Sequence, residues 1–287
     1  MGVMYLFLSL AVVGLGMNGV LIFLAVRAKH ESREMVVVVG LAVVDMVLPM
    51  FTIASVIYNL ITRRPIDSVP LMCTIEGVVD FVSVFMSMFL VAAIALVRLS
   101  HVIKWDIPFG LRYALASFAL VFVGLCVACG LRNEFYILES NIYCAPVAAT
   151  SPISMAVLVL HSLSLLVFLG IALACYAKII SALLSSYRDF NAINLHNDIA
   201  IAPTQHWETK RPGIIRTTVI ILSYLITILP PSILMFLEAV LPMPISKSLN
   251  TPIDLFIVSI SILNPSLVLF AHSAIFKELT LLFTHTP

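Results

Sequence analysis

Seven long apolar stretches constrain this sequence more than any other feature. Each has about the 20 apolar residues that a helix needs to cross a bilayer, and none alternates apolar and polar residues as a membrane barrel does. They cover residues 2–26, 35–61, 71–103, 111–131, 153–184, 213–241 and 252–272. The sequence therefore predicts an all-α membrane protein, a bundle of seven transmembrane helices that takes in residues 1–287 as one domain.

The composition excludes most soluble classes of protein. The chain is 61% hydrophobic and only 11% charged, whereas soluble domains are roughly 25% charged. A soluble enzyme and a disordered chain are therefore excluded. The net charge of +1 gives no general attraction to nucleic acid.

Three segments outside the spans have distinct characters. Residues 132–151 and 186–212 are polar and are predicted as linkers. Residues 274–283 (AIFKELTLLF) mix apolar and charged side chains. Such a segment suits a short amphipathic helix lying on the membrane surface.

The distribution of basic residues predicts the orientation of the bundle. Of the 16 lysines and arginines, twelve lie at one side of the spans. The four at the other side are Arg63, Arg64, Arg132 and Lys247. Because basic loops remain in the cytosol, we expect a multi-pass plasma-membrane protein with its N-terminus outside and its C-terminus in the cytosol.

Two of the five cysteines lie at the predicted outer face. Cys73 opens the third span and Cys144 lies in the linker 132–151, whereas the other three cysteines fall inside spans. Because the outside is oxidising, Cys73 and Cys144 form the one plausible disulfide. The alternative is a pair of free thiols.

Polar residues of the third span repeat at helical spacing. Glu76, Asp80, Ser83, Ser87 and Arg98 follow one another at steps of 4, 3, 4 and 11 residues. This spacing places them on one face of a helix. Ionisable groups in a membrane face the bundle interior because exposure to lipid is costly. The stripe is therefore predicted to line the interior.

Further polar residues fall near the middle or the inner half of their spans. They are Asn18, Asp45, Ser87, Ser261 and Asn264. Their carboxylate, hydroxyl and amide oxygens are predicted to meet as a buried cluster. One interpretation is a sodium or water site centred on Asp45 and Ser87; the other is a hydrogen-bonded core with a protonated Asp45. No other cofactor is expected.

A second acidic group lies nearer the outer face. It consists of Glu76, Asp80, Asp254 and Glu238, with Ser83 and His161 as further candidates for ligand contact. Unpaired carboxylates there favour a cationic ligand, such as an amine or a basic peptide. The alternatives are carboxylates reaching the membrane rim and, for His161, a histidine of the core.

Several motifs occur in order along the chain. They are GMNGVLI around Asn18, LAVVD ending at Asp45, Arg98 placed 25 residues after Cys73, ALACYAKII around Tyr176, and Asn264-Pro265. In these motifs nearly the whole chain resembles the rhodopsin-like (class A) family of G-protein-coupled receptors. The resemblance implies a disulfide from Cys73 to Cys144, a sodium-site serine at Ser87 and an ammonium-binding acid at Asp80. It also implies coupling to a G protein through Arg98 and Tyr176.

The sequence also departs from the family pattern. The acidic-Arg-Tyr triplet reads Val97-Arg98-Leu99, and Val268 stands where the family has the tyrosine of N-P-x-x-Y. In the family, the acid beside the arginine helps to hold the closed state. Because Val97 has no carboxylate, we expect weaker locking and raised basal signalling.

The expected function is that of a receptor, not an enzyme. An outside small-molecule or peptide ligand would shift the sixth helix outward at the kink expected from Pro230 and Pro231, opening a cleft for a heterotrimeric G protein. The alternatives are a receptor-like decoy or scaffold that does not couple and a cation-coupled transporter. A retinal protein is disfavoured because residues 252–272 contain no lysine.

Overall fold

The computed structural model describes residues 2–28, 33–63, 70–104, 108–137, 144–146, 151–197, 203–241 and 247–284. In this part of the chain the helices are α1 (Gly2–Arg27), α2 (Arg33–Thr62), α3 (Pro70–Ile103), α4 (Phe109–Leu131), α5 (Pro152–Asn197), α6 (Pro203–Thr227), α7 (Leu229–Val240), α8 (Lys247–Ala271) and α9 (Ser273–Thr284). Two short strands, β1 (Phe135–Ile137) and β2 (Cys144–Pro146), lie between α4 and α5. The helical prediction is confirmed.

The predicted spans coincide with these helices. Within the described residues, six spans are long and apolar enough to cross a membrane, with α6 and α7 together forming one of them. α8 and α9 taken together are also long and apolar enough to cross a membrane, but α9 turns away from α8 by 89°. A helix perpendicular to a span has the direction expected of the predicted surface helix.

The polar linker predicted over residues 186–212 is mostly helical, and this prediction is wrong. α5 continues to Asn197 and α6 begins at Pro203. Residues 186–197 contain neither proline nor glycine, so nothing in them breaks the helix, while proline suits a first helical turn. At 1.5 Å per residue, the 46 residues of α5 extend for about 69 Å, well beyond a bilayer core of about 30 Å.

The predicted sixth span is broken where its two prolines lie. α6 ends at Thr227, and Pro230 and Pro231 are in the first turn of α7. Proline has no N–H, so the carbonyls one turn earlier lose their helical donors. The helix resumes when the Ser232 N–H reaches the carbonyl of Ile228 at 3.1 Å.

α3 is the central helix of the bundle. It packs against α2, α4, α5 and both strands. Its Phe85 ring stacks on Phe122 of α4, with 4.2 Å between centroids, and meets Phe168 of α5 at 5.4 Å. Edge and stacked contacts of this kind add to the stabilisation from apolar burial, and they fix the rotation of α3 about its axis.

Within the linker 132–151, β1 and β2 pair antiparallel and pack against α3. Tyr136 pairs with Ala145 in their register. The disulfide between Cys73 and Cys144, with Cα atoms 5.4 Å apart, fixes β2 to α3. The end of the bundle that holds this bond is called the disulfide end below, and the opposite end is called the Arg98 end.

Candidate functional site

Asn264 of α8 organises a buried polar cluster in the middle of the bundle. Its amide nitrogen donates to Asp45 Oδ2 at 2.9 Å and to Ser87 Oγ at 2.8 Å. Its Oδ1 accepts a hydrogen bond from the Tyr224 hydroxyl at 3.1 Å. All four side chains are buried. The structure therefore brings together three of the predicted residues and joins α2, α3, α6 and α8 at one point.

Asn18 and Ser261 form a separate contact. The Asn18 amide nitrogen donates to the carbonyls of Gly14 and Ser261, at 2.9 and 2.8 Å. The Ser261 hydroxyl donates to the carbonyl of Val258 on its own helix. In the described residues both side chains donate to backbone carbonyls, so this contact ties α1 to α8 beside the cluster and not within it.

The chemistry of the cluster bears on the predicted sodium site. Carboxylate and hydroxyl oxygens are the ligands that hard cations prefer, and Asp45 and Ser87 supply them. However, Asn264 directs its N–H donors, and not its oxygen, at both residues. This arrangement satisfies the cluster by direct hydrogen bonds, and sodium at Asp45 and Ser87 stays a prediction.

Arg98 lies at the other end of α3 and bonds an acid that the sequence analysis did not consider. Its Nε is 2.6 Å from Oε1 of Glu34, at the start of α2. His272 Nε2, between α8 and α9, is 3.0 Å from the same oxygen. Tyr176 of α5 lines the same cleft as Arg98. The resemblance implied that Arg98 and Tyr176 act together, and the structure places both in the wall of one cleft.

An open cleft of about 380 Å³ has Arg98 in its wall. Its lining residues come from α2, α3, α5, α6 and the end of α8. Arg216 of α6 lines it and lies over the Phe270 ring, 5.7 Å from the centroid. The neighbours of Arg98 in its own helix do not share this polar role, since Val97 is half-buried and Leu99 is buried in the core.

The predicted acidic residues of α3 at the disulfide end are buried. Glu76 is 1% exposed and Asp80 is 6% exposed. The Ser55 hydroxyl of α2 donates to Glu76 Oε1, while Glu76 Oε2 has no hydrogen-bond partner in the part of the chain that the structure describes. Burial excludes the alternative in which Glu76 reaches the membrane rim.

The structure describes the side chains of only some of the other candidate ligand-binding residues. Ser83 is buried on the same stripe as Asp80. His161 is buried between Phe81 and Phe122, with centroid distances of 4.6 and 5.6 Å, as expected of a histidine of the core. Asp254 in α8 and Glu238 in α7 have side chains that lie outside the described part of the structure.

Comparison with known proteins settles the family. A family model described as 7 transmembrane receptor (rhodopsin family) matches residues 17–267. The chain belongs to the rhodopsin family of seven-transmembrane receptors. The predictions of a membrane receptor, and not an enzyme, are thereby confirmed.

Among solved structures, this receptor is similar to the crystal structure of squid rhodopsin. The match has a TM-score of 0.73 and 16% sequence identity, and it covers 98% of this chain and 84% of that chain. At this identity the likeness concerns the fold alone. A comparison with curated proteins finds no match.

A cluster around Glu134 closes the disulfide end of this receptor, and sequence reasoning missed it. Arg132 Nε is 2.7 Å from Glu134 Oε1, and the Ser154 hydroxyl donates to Oε2 at 2.6 Å. The Ser151 hydroxyl donates to the same oxygen and accepts the Ser154 N–H at 3.1 Å. Ser151 thereby caps the N-terminus of α5, whose first residue is Pro152.

The surroundings of Glu134 change its titration. Hydrogen bonds from Ser151 and Ser154, together with the Arg132 guanidinium, lower the pKa of Glu134 from its usual 4.5 to about 2. The carboxylate is therefore charged at neutral pH and links the end of α4 to the start of α5. The sequence feature that could have indicated this cluster is a serine followed by a proline at residues 151–152, a pattern typical of a helix N-terminus.

Two further residues of the site were missed. Glu34 precedes the predicted start of the second span by one residue, and Tyr224 lies within the predicted sixth span. An acidic residue at the start of an apolar span and a tyrosine deep in a span are the signals for them, but neither signal names the partner.

Proposed function

We propose that this receptor binds an extracellular ligand and activates a heterotrimeric G protein through the Arg98 end. The open cleft with Arg98 in its wall carries the proposal. A partner of this bundle needs an accessible concave surface with a few placed polar groups. Arg98, Tyr176 and Arg216 supply such groups from three helices.

The orientation of the bundle supports this assignment. The Arg98 end carries the basic side chains of Arg27, Arg98 and Arg216, and a basic side is the cytosolic side. The disulfide between Cys73 and Cys144 belongs on the oxidising, outer side. Both features support a plasma-membrane protein with its N-terminus outside and the cleft facing the cytosol.

The proposed movement is a shift between two arrangements of the bundle. α6 supplies one wall of the cleft and is separated from α7 by the break at Ile228. Outward movement of α6 about this break, with Pro230 and Pro231 beyond it, would widen the cleft. It would also strain or break the hydrogen bond from Tyr224 to Asn264, so that bond favours the resting arrangement.

We propose a cationic ligand at the disulfide end, either an amine or a basic peptide. Glu76 and Asp80 lie one helical turn apart on the inward stripe of α3, and within the described residues the buried Oε2 of Glu76 has no hydrogen-bond partner. A buried carboxylate such as that of Glu76 is costly without a cation or a proton. An ammonium or guanidinium group provides that compensation.

The decoy is the second candidate, and the non-polar residues on both sides of Arg98 favour it. The test is basal activation of each Gα class in cells without competing receptor signalling. Arg98→Ala is compared with Arg27→Ala, because Arg27 is also ion-paired at this end, to Glu278, but does not line the cleft.

Loss of basal activation in Arg98→Ala and its retention in Arg27→Ala would support coupling through the cleft. Equal signals in the two variants would contradict it. If no Gα class responds, even when fused to the C-terminus of a surface-expressed receptor, the decoy becomes the better assignment. Uptake of a labelled amine that Asp80→Asn abolishes would instead indicate a transporter.

A further inference from the structure

Arg98 is in a position where a guanidinium needs an acid. Its side chain is 18% exposed, and removing a charged group from water is unfavourable unless it is paired and hydrogen-bonded. Neither sequence neighbour provides a carboxylate, because Val97 and Leu99 are both apolar. The partner must therefore come from another helix.

Glu34 is that partner. Among the described residues that line the cleft, Glu34 is the one carboxylate. Its side chain is 13% exposed, and its Oε1 is 2.6 Å from Arg98 Nε. A charge-assisted hydrogen bond of this length, largely shielded from solvent, is stronger than a surface ion pair.

Glu34 also reaches the end of α8. Oε1, the atom that bonds Arg98, is 3.0 Å from His272 Nε2. The backbone N–H of His272 in turn bonds the Val268 carbonyl at 2.9 Å, on the last turn of α8. The contact between His272 Nε2 and Glu34 is a close approach without hydrogen-bond geometry, so the bond from Arg98 to Glu34 is what holds Arg98 on the α2 side of the cleft.

We propose that Glu34 is a positioning residue that holds Arg98 against α2 in the resting bundle, in place of an acid at position 97. A G protein that uses Arg98 must break this bond, so Glu34 opposes coupling without a ligand. The inference rests on the proposed function and reverses the expectation of raised basal signalling drawn from Val97 alone.

The first experiment tests the interaction between Glu34 and Arg98 by protein stability, with no signalling assay. Thermal unfolding of the purified, full-length receptor is compared for wild type, Glu34→Gln, Arg98→Gln and the double variant. A coupled pair makes the double variant about as stable as the less stable single variant, since the interaction is lost once. Additive losses would overturn the contact, and with it the proposal.

The second experiment measures the consequence for coupling. Glu34→Gln should raise basal G-protein activation on the order of tenfold, because loss of a charge-assisted hydrogen bond shifts a two-state equilibrium by about that factor. Glu34→Asp keeps the charge, so its basal activation should lie closer to the wild-type level than that of Glu34→Gln. Glu278→Gln is the matched control, since it removes the exposed pair with Arg27 at the same end.

The outcomes separate this inference from the proposed function. If Arg98→Ala abolishes basal signalling but Glu34→Gln leaves it unchanged or lower, the proposal for Glu34 is wrong and the receptor still couples. A rise in Glu278→Gln equal to that in Glu34→Gln would also overturn it. If neither wild type nor Glu34→Gln activates any fused Gα, the proposed function fails, and the opposition to coupling inferred for Glu34 fails with it.

Discussion

The two ends of this receptor each contain an arginine–glutamate pair of nearly equal length. At the disulfide end, Arg132 Nε is 2.7 Å from Glu134, and the residues are two positions apart. At the Arg98 end, Arg98 Nε is 2.6 Å from Glu34, and the residues are 64 positions apart on different helices. The first pair closes a turn after α4, whereas the second joins two helices.

The surroundings distinguish the pairs more than the distances do. The Arg132 side chain is 60% exposed and that of Arg98 is 18% exposed. Solvent screens the first pair, and Glu134 keeps two serine hydroxyls when Arg132 is absent. The pair of Arg98 and Glu34 has fewer neighbouring groups that could replace a lost partner. The disulfide end is therefore a redundantly fixed frame, whereas the Arg98 end depends on a few long-range bonds that a partner can exchange.

Removing the disulfide should weaken the frame at the disulfide end more than any other single change. The double change Cys73→Ser and Cys144→Ser opens a link between residues 71 positions apart. It should lower the free energy of unfolding by about 2–5 kcal/mol, measured as thermal unfolding in detergent. A reducing agent should lower the wild type to the same level and leave the variant unchanged. An unchanged melting temperature would show that non-covalent contacts alone fix this end.

A methyl group at Gly77 should disturb the same frame by packing. A Cβ there would press on the Phe135 ring and lie 2.8 Å from the Cys144 carbonyl oxygen. Gly77→Ala should therefore destabilise the receptor by about 1–3 kcal/mol, the usual cost of overpacking. Gly124→Ala in α4 is the control, because nothing lies within 4 Å of its Cβ, and it should be neutral or stabilising. Equal effects would mean that the β1–β2 pair shifts to accommodate the methyl group.

Tyr224→Phe tests whether the Arg98 half of the bundle relies on single long-range bonds. It removes the donor to Asn264 Oδ1, an atom in a fully buried residue. Leaving that oxygen unsatisfied should cost about 1 kcal/mol of stability and raise basal signalling. Tyr5→Phe, at an exposed residue of α1, should change neither. Stability lost without any signalling change would assign Tyr224 to the frame.

A pH dependence is also expected at the disulfide end. Because the pKa of Glu134 is about 2 in the folded receptor, against 4.5 normally, its carboxylate stabilises the fold above pH 4.5. This contribution is lost as the pH falls from 4.5 toward 2. Melting temperatures of wild type and Glu134→Gln should thus converge between pH 7 and pH 3. A constant difference would show that Glu134 acts through packing alone.

Much of the architecture followed from the sequence because hydropathy is a local property. The apolar stretches predicted the helices, and the spacing of Glu76, Asp80, Ser83 and Ser87 predicted the buried face of α3. The error at residues 186–212 has the same origin. Polarity predicts where a chain leaves the membrane, but it does not predict where a helix ends, which depends on proline, glycine and caps.

The partners of the polar residues were decided only by the tertiary structure. Nothing local in the sequence connects Glu34 with Arg98, Tyr224 with Asn264, or Asn18 with the carbonyl of Ser261. Each pairing depends on the rotation of a helix about its axis and on its depth relative to its neighbours, which the aromatic packing around α3 and the disulfide help to fix. The sequence alone determined which groups had to be satisfied inside the bundle, because burial of unpaired polar groups is unfavourable in any fold. Which helix satisfied each of them depended on the packing of the whole bundle.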